Sequence, residues 1–222
     1  MENQLTLPER LLLLAIRPEK GGISSTSSMA IDLVLAGAAM LEMLIAGNIR
    51  MADRRLEVTG ENAGSSLNVY LLGKMAASQG PRKAEYWLNS FRISMKRIRG
   101  EVYGSLSQQR EIRLEERRFL FFKWQKPFLS PGNHVHQLVD RAKRLIHQPP
   151  GDPGEICFLL LLEPAQLLRR IYPERSMRKT AALKIKQFRM AETSPDMVRQ
   201  AAVVVKAINM ALAARRAAHH AG

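Results

Sequence analysis

The sequence predicts one mainly α-helical domain with one or two small β-hairpins. Apolar residues recur at three- and four-residue steps through most segments, as expected for amphipathic helices. Apolar residues make up 46% of the 222 positions, enough for a substantial core. Residues 152–171 are apolar on nearly every side, which predicts a helix at the centre of a bundle. With no internal repeat and no long linker, residues 1–222 are expected to form a single domain.

The N-terminal part predicts two buried helices and a hairpin. Thr6 and Glu9 have the spacing of a capping box, which predicts a short helix through residues 11–16. A longer apolar helix follows and contains Glu42, which we expect to be a partnered structural carboxylate. Residues 48–59 alternate apolar and polar side chains and predict the first β-hairpin.

A basic amphipathic helix and a second hairpin occupy the middle of the chain. The apolar stripe of that helix consists of Phe91, Met95, Ile98, Val102 and Leu106. Its other side carries the four cations Arg92, Lys96, Arg97 and Arg99. Residues 112–129 then predict two short strands of a hairpin. Pro127 and the sequence Ser130-Pro131-Gly132 are typical of a chain reversal and of the end of a strand.

Three further helices lie on either side of the PPGDPG segment at residues 149–154, which we expect to be a sharp boundary. Helical spacing of apolar residues predicts helices at residues 135–146, 175–188 and 197–214, besides the central one. The only cysteine, Cys157, lies in the central helix and is expected to be a small core residue. A single cysteine permits no disulfide framework, which is typical of a reducing cytoplasm.

The charge balance predicts attraction to polyanions. The chain has 34 Lys and Arg against 20 Asp and Glu, a formal charge of +14. Nucleic acid and an anionic membrane surface both fit this charge. The N-terminus lacks the cations of a signal peptide, and no uninterrupted apolar run approaches the roughly 18 residues of a spanning helix. We therefore expect a cytoplasmic protein whose membrane contact is peripheral.

The most aromatic stretch reads RRFLFFKWQK at residues 117–126. Successive large apolar residues give a strand that is apolar on both faces, so it needs cover from the core, a partner chain or lipid. The flanking cations favour lipid. We expect membrane insertion or oligomerisation through Arg117, Arg118, Phe119, Leu120, Phe121, Phe122, Lys123, Trp124 and Lys126.

The sequence favours neither a catalytic site nor a metal site. The sequence shows no nucleophile with its base, no carboxylate pair and no phosphate-binding glycine loop, so we expect no enzyme and no cofactor. His134 and His136 lack a third ligand at suitable spacing, so no metal site is expected either. Two alternatives stay open: a homo-oligomer built on the aromatic hairpin, and a winged-helix nucleic-acid binder using residues 48–59. The second is disfavoured, since the preceding helix is apolar where it would meet the groove.

Four phrases carry a resemblance to a known family. They are LTLPERLLLLAI at residues 5–16, AGAAMLEMLIAGNIRM at 36–51, RLEERRFLFFKWQKP at 113–127 and DPGEICFLLLLEPAQLLRRIYP at 152–173. In their order and spacing, the chain resembles the Golgi phosphoprotein 3 family over nearly its whole length.

The resemblance implies a cytosolic, mostly helical protein that binds phosphatidylinositol 4-phosphate in a basic pocket beside a membrane-inserting hairpin. Such proteins also recruit membrane-protein tails. Lys96 and Arg99 match two basic pocket positions, and Arg92 and Arg97 add to the local positive field. A pocket tryptophan and arginine of eukaryotic members are replaced by Ser27 and Ala36, so the chain is similar to a bacterial relative. We expect an anionic lipid headgroup as ligand.

Overall fold

The chain folds into helices joined by two small antiparallel sheets. The computed structural model describes residues 5–60, 64–119, 122–148, 150–191 and 195–220. The helices are α1 (Leu7–Ala15), α2 (Ser25–Ser28), α3 (Ile31–Ile45), α4 (Ser66–Ala76), α5 (Ala84–Ser90), α6 (Met95–Gln108), α7 (Val135–His147), α8 (Pro153–Leu161), α9 (Leu168–Ile171), α10 (Arg175–Met190) and α11 (Asp196–His220). The strands are β1 (Ile49–Ala52), β2 (Arg55–Val58), β3 (Arg82–Lys83), β4 (Ile112–Phe119) and β5 (Phe122–Leu129). The mainly α prediction is confirmed.

Helix α1 begins with the predicted capping box. The Thr6 hydroxyl accepts a hydrogen bond from the Glu9 amide at 3.4 Å, and the Glu9 carboxylate accepts one from the Thr6 amide at 2.7 Å. These bonds satisfy two amides that a helix N-terminus otherwise leaves unpaired. The leucines that follow are buried, and α1 packs against α3.

Helix α3 lies inside the protein along nearly its whole length. It packs against α1, α6, α8 and α11. Small residues in its middle allow close approach, because a Cβ built on Gly37 would come within 2.6 Å of the Ile208 side chain in α11. Its apolar residues on all sides explain this burial, since a helix without a polar face has no side to present to water.

The predicted central helix at residues 152–171 is wrong as a single element. Helix α8 ends at Leu161, and the short helix α9 begins only at Leu168. Pro164 cannot donate a helical hydrogen bond, and Gln166 adopts a left-handed backbone with φ of 58°. The segment remains buried, so α8 shares the centre of the fold with α3.

The first sheet contains the predicted hairpin and one strand that was not predicted. Strands β1 and β2 pair from Ile49 with Val58 to Ala52 with Arg55. Asp53 and Arg54 both have positive φ, as a two-residue type I′ turn requires. Strand β3 adds to β2, but with two residues it is too short for a pattern to reveal.

The second sheet is the aromatic hairpin, and its two strands confirm the prediction for residues 112–129. The register runs from Ile112 opposite Leu129 to Phe119 opposite Phe122, while Leu120 and Phe121 lie outside the described residues. The base is anchored by two backbone bonds: the Ser130 amide donates to the Glu111 carbonyl at 2.9 Å, and Gly22 donates to Pro127 at 2.7 Å. The hairpin therefore projects from a fixed base.

Helix α11 is the longest helix among the described residues. Asp196–Ala218, 23 residues, is long and apolar enough to cross a membrane by length and composition. The segment contains no long uninterrupted apolar run, because polar residues such as Lys206 lie within it. In this structure the helix packs against α3, α5 and α8. Its buried side consists of Val198, Ala201, Val204, Val205, Ala207, Ile208 and Leu212.

The expectation that Glu42 is a partnered structural carboxylate is confirmed. It accepts hydrogen bonds from the Leu7 amide at 2.5 Å and from the Asn68 side-chain nitrogen at 3.3 Å. Burial raises the pKa of Glu42 more strongly than these bonds lower it. The buried side-chain oxygen of Asn68 accepts no hydrogen bond.

We predict that Glu42→Gln is tolerated far better than Glu42→Leu. The new amide can accept from Leu7 and, once the Asn68 amide turns over, donate to its oxygen. Leucine instead leaves buried donors unpaired, at about 1–3 kcal/mol each. Urea denaturation at neutral pH measures the difference, and equal losses in the two variants would contradict this account.

The raised pKa of Glu42 also sets the sign of a pH dependence. The folded protein holds the Glu42 proton more tightly than the unfolded chain. This carboxyl therefore favours folding below its ordinary pKa of 4.5 and loses that contribution as pH rises through its raised folded pKa. The unfolding free energy of wild type minus that of Glu42→Gln should fall as the pH rises above the ordinary pKa of 4.5. A difference that grows with pH would refute the assignment.

Candidate functional site

A cavity of about 480 Å³ lies between α6, the start of α3 and the aromatic hairpin. We call it the α6–hairpin cavity. It brings together two of the four predicted helix cations with two predicted hairpin residues. Its lining residues are Asp32, Lys96, Arg99, Gly100, Tyr103, Glu116, Lys123, Trp124 and Gln125.

Arg99 is held in this cavity by a bidentate ion pair with Asp32. Its guanidinium donates to the two carboxylate oxygens at 2.7 and 2.5 Å. Burial alone lowers the pKa of Arg99, but the hydrogen bonds and charge of Asp32 outweigh it, and the net shift is upward. Fork-to-fork pairing of this kind fixes direction as well as charge, so Arg99 is a rigid cation.

Lys96 and Lys123 supply the mobile positive charge of the cavity. Lys96 lies one turn before Arg99 on α6, is exposed, and makes no ion pair with a described residue. Lys123 pairs with Glu116 at 3.4 Å, but both side chains are more than half exposed, so the pair is weak. An entering anion therefore meets one unpaired ammonium and a second that is loosely held.

Trp124 forms part of the cavity wall from the hairpin. It lies opposite Arg117 in the strand register, and 48% of its surface is exposed. An exposed indole beside cations is typical of a membrane–water interface, where its apolar ring and polar N–H meet different surroundings.

Arg97 and Arg92 do not join Lys96 and Arg99 in this cavity. Arg97 lies over the Tyr70 ring at 3.8 Å and pairs with Glu101 at 3.5 Å. Arg97 follows Lys96 directly, so its side chain leaves the helix about 100° around the axis from that of Lys96 and lies outside the cavity. Arg92 precedes α6, in a 3-10 turn at Phe91–Ser94, and lines a separate cavity.

The remaining hairpin cations lie along the strands. Arg117 pairs with Glu115 at 2.7 Å, and the Lys126 ammonium lies 5.0 Å from the centre of the Phe128 ring. Arg118 is exposed and stands opposite Lys123 in the register. Cations thus follow the described strands up to Phe119 and Phe122, the last pair before the tip.

Ser27 and Ala36 occupy interior positions. Ser27 is buried in α2, where its hydroxyl accepts a hydrogen bond from Ser24 at 3.1 Å. Ala36 is buried in the middle of α3. Neither residue contributes a charge or an aromatic ring. The described cations of the cavity lie on α6 and on the hairpin.

Other chemistry-bearing residues serve the fold. His134 contacts the carboxylate of Glu111, which the sequence analysis missed although Glu111 directly precedes β4. Among the described residues, no three or more His, Cys, Asp or Glu side chains group as metal ligands. The Cys157 thiol is buried in the core, as predicted, and burial raises its pKa to about 12.

Comparison with known proteins gives the family. The family model described as Golgi phosphoprotein 3 (GPP34) matches residues 7–208. A search of curated proteins found no match. The matched region includes α1, α3, α6 and the hairpin, and therefore the whole α6–hairpin cavity. The chain belongs to the Golgi phosphoprotein 3 family.

Proposed function

We propose that the protein is a peripheral membrane-binding adaptor with no catalytic activity. It recognises an anionic phospholipid headgroup, phosphatidylinositol 4-phosphate or another, in the α6–hairpin cavity. One observation carries the proposal: Lys96 and Arg99 share a cavity with Lys123 and Trp124 of the aromatic hairpin. A cytoplasmic location and the recruitment of membrane-protein tails belong to the same proposal.

The energetics suit reversible attachment. Large apolar side chains contribute about 1.5–3 kcal/mol each when buried, and cations near an anionic bilayer add about 1 kcal/mol apiece. A hairpin with several such residues and three neighbouring cations yields an affinity in the range of a reversible tether. A headgroup phosphate would replace the weak Glu116 partner of Lys123 and give Lys96 a partner.

The placement of α3 supports lipid over nucleic acid. A winged-helix binder inserts the helix before its hairpin into the major groove. Here that helix is α3, and its residues from Leu33 to Leu41 are buried. The exposed cations of the following hairpin are Arg50, Arg54 and Arg55.

The first test is vesicle flotation with a matched charge control. Lys96→Glu/Arg99→Glu should lower binding to anionic vesicles at least about 30-fold, since two cations at about 1 kcal/mol each are lost and reversed. Lys179→Glu/Lys186→Glu makes the same charge change on the exposed face of α10 and should bind nearly as wild type. Equal losses in both double variants would show that net charge alone binds the membrane.

The lipid panel compares phosphatidylinositol phosphates, phosphatidylglycerol, diphosphatidylglycerol and neutral phosphatidylcholine. Binding to all four alike would contradict headgroup recognition.

A second prediction separates insertion from assembly. Phe121→Asp, at a position outside the described residues, should abolish flotation while leaving the oligomeric state in light scattering unchanged. Aspartate costs far more than phenylalanine in hydrocarbon, so insertion cannot survive the change. A dimer that becomes monomeric with unaltered flotation would instead support an assembly role for the hairpin.

A third prediction concerns Asp32. Asp32→Asn removes a negative charge from the cavity wall, so binding to anionic vesicles should strengthen severalfold. The same change should lower the unfolding free energy by about 1–3 kcal/mol, because Arg99 loses its charged partner. Glu57→Gln, which removes a carboxylate from the first sheet, is the control. Tighter binding in the control alone would contradict the assignment of the cavity.

A further inference from the structure

A second cationic cavity lies on the other side of Asp32. Its volume is about 620 Å³, and it is bounded by the start of α3, the 3-10 turn before α6 and the end of α11. We call it the α11 cavity. Asp32 lines both this cavity and the α6–hairpin cavity, so the two share a wall. The residues that matter here are Met29, Asp32, Arg92, Ala214 and Arg215.

The α11 cavity holds two guanidinium groups without a carboxylate partner. Among the described residues, neither Arg92 nor Arg215 makes an ion pair, and both oxygens of Asp32 accept hydrogen bonds from Arg99. Arg215 donates one hydrogen bond, to the Met29 carbonyl at 3.3 Å. Burial lowers the pKa of Arg215, the charge of Asp32 raises it, and the charge of Arg92 lowers it, with a net shift downward. The cavity therefore has an excess positive charge that an anion would relieve.

Arg215 lies beyond the region that the family match covers. The match ends at residue 208, while α11 continues to His220. The last turns of α11 are rich in alanine, so Ala214 leaves open space beside the two arginines. Of the two arginines, Arg92 therefore lies inside the matched region and Arg215 lies outside it.

We propose that Arg92 and Arg215 form a second phosphate subsite, so that the protein prefers a phospholipid whose headgroup joins two phosphodiester groups, as in diphosphatidylglycerol. Guanidinium groups bind phosphate oxygens in a bidentate manner, and two of them face one cavity here. One phosphate occupies the α6–hairpin cavity and the other the α11 cavity, on either side of Asp32, whose charge Arg99 neutralises. The inference rests on the proposed function, since it takes Lys96 and Arg99 as the first subsite.

The test compares vesicles containing diphosphatidylglycerol with vesicles containing phosphatidylglycerol at equal lipid charge. Wild type should bind the first about 10- to 30-fold more tightly. Arg92→Ala/Arg215→Ala should weaken binding to diphosphatidylglycerol far more than binding to phosphatidylglycerol, and so reduce this preference to near unity. Lys206→Ala removes an exposed cation from the same helix and should keep the preference.

A charge-conserving variant and a soluble ligand distinguish the possible outcomes of this test. Arg92→Lys/Arg215→Lys keeps the charge without the bidentate geometry and should restore part of the preference, which excludes simple misfolding as the cause. A preference that survives Arg92→Ala/Arg215→Ala overturns the second subsite and leaves the proposed function standing. Wild type that binds neither vesicle type refutes both. Stabilisation by inorganic pyrophosphate without a vesicle preference would also overturn the lipid assignment.

Discussion

The ion pair between Arg99 and Asp32 is the interaction on which the candidate site depends. It joins α6 to the start of α3 through two hydrogen bonds and directs the Arg99 guanidinium into the α6–hairpin cavity. The same pair neutralises the carboxylate that separates this cavity from the α11 cavity. Without Arg99, the charge of Asp32 would repel an anion from both sides. The pair therefore links α6 to α3 and offsets the repulsion that Asp32 would exert on an anionic ligand.

The buried helices hold that pair in place, and the hairpin completes the cavity. Helix α3 is fixed on several sides by α1, α6, α8 and α11, so Asp32 at its start has little freedom to move. Only three residues separate α6 from β4, and backbone bonds from Ser130 and Gly22 clamp the base of the hairpin. This short connection places Lys123 and Trp124 beside the basic face of α6. A rigid helical body thus carries an aromatic element next to a cationic one, an arrangement suited to a bilayer surface.

Periodicity predicted most of the long helices and the first hairpin, because each depends on local spacing, and turn-forming residues indicated the second hairpin. The prediction of a single helix over residues 152–171 failed. The segment is hydrophobic throughout, but Pro164 and the left-handed backbone of Gln166 interrupt the helix. Lys96 and Arg99 could be predicted to lie together, because they are one turn apart on the same helix. Asp32 and Arg215 could not be assigned, since only the packing of α11 against α3 and α5 brings them together. In the sequence, Asp32 is distinguished only as an isolated acidic residue at the start of an apolar helix.

Fluorescence of Trp124 tests the central claim most directly. The chain has two tryptophans, and Trp87 is buried against Phe91, so Trp87→Phe leaves Trp124 as the only emitter. We expect anionic vesicles to shift its emission to shorter wavelength, and lipids with brominated acyl chains to quench it. Neutral vesicles, and Lys96→Glu/Arg99→Glu in the same background, should leave the spectrum unchanged. Binding to anionic vesicles with no shift and no quenching would show that the hairpin and the cationic cavity do not meet the membrane together.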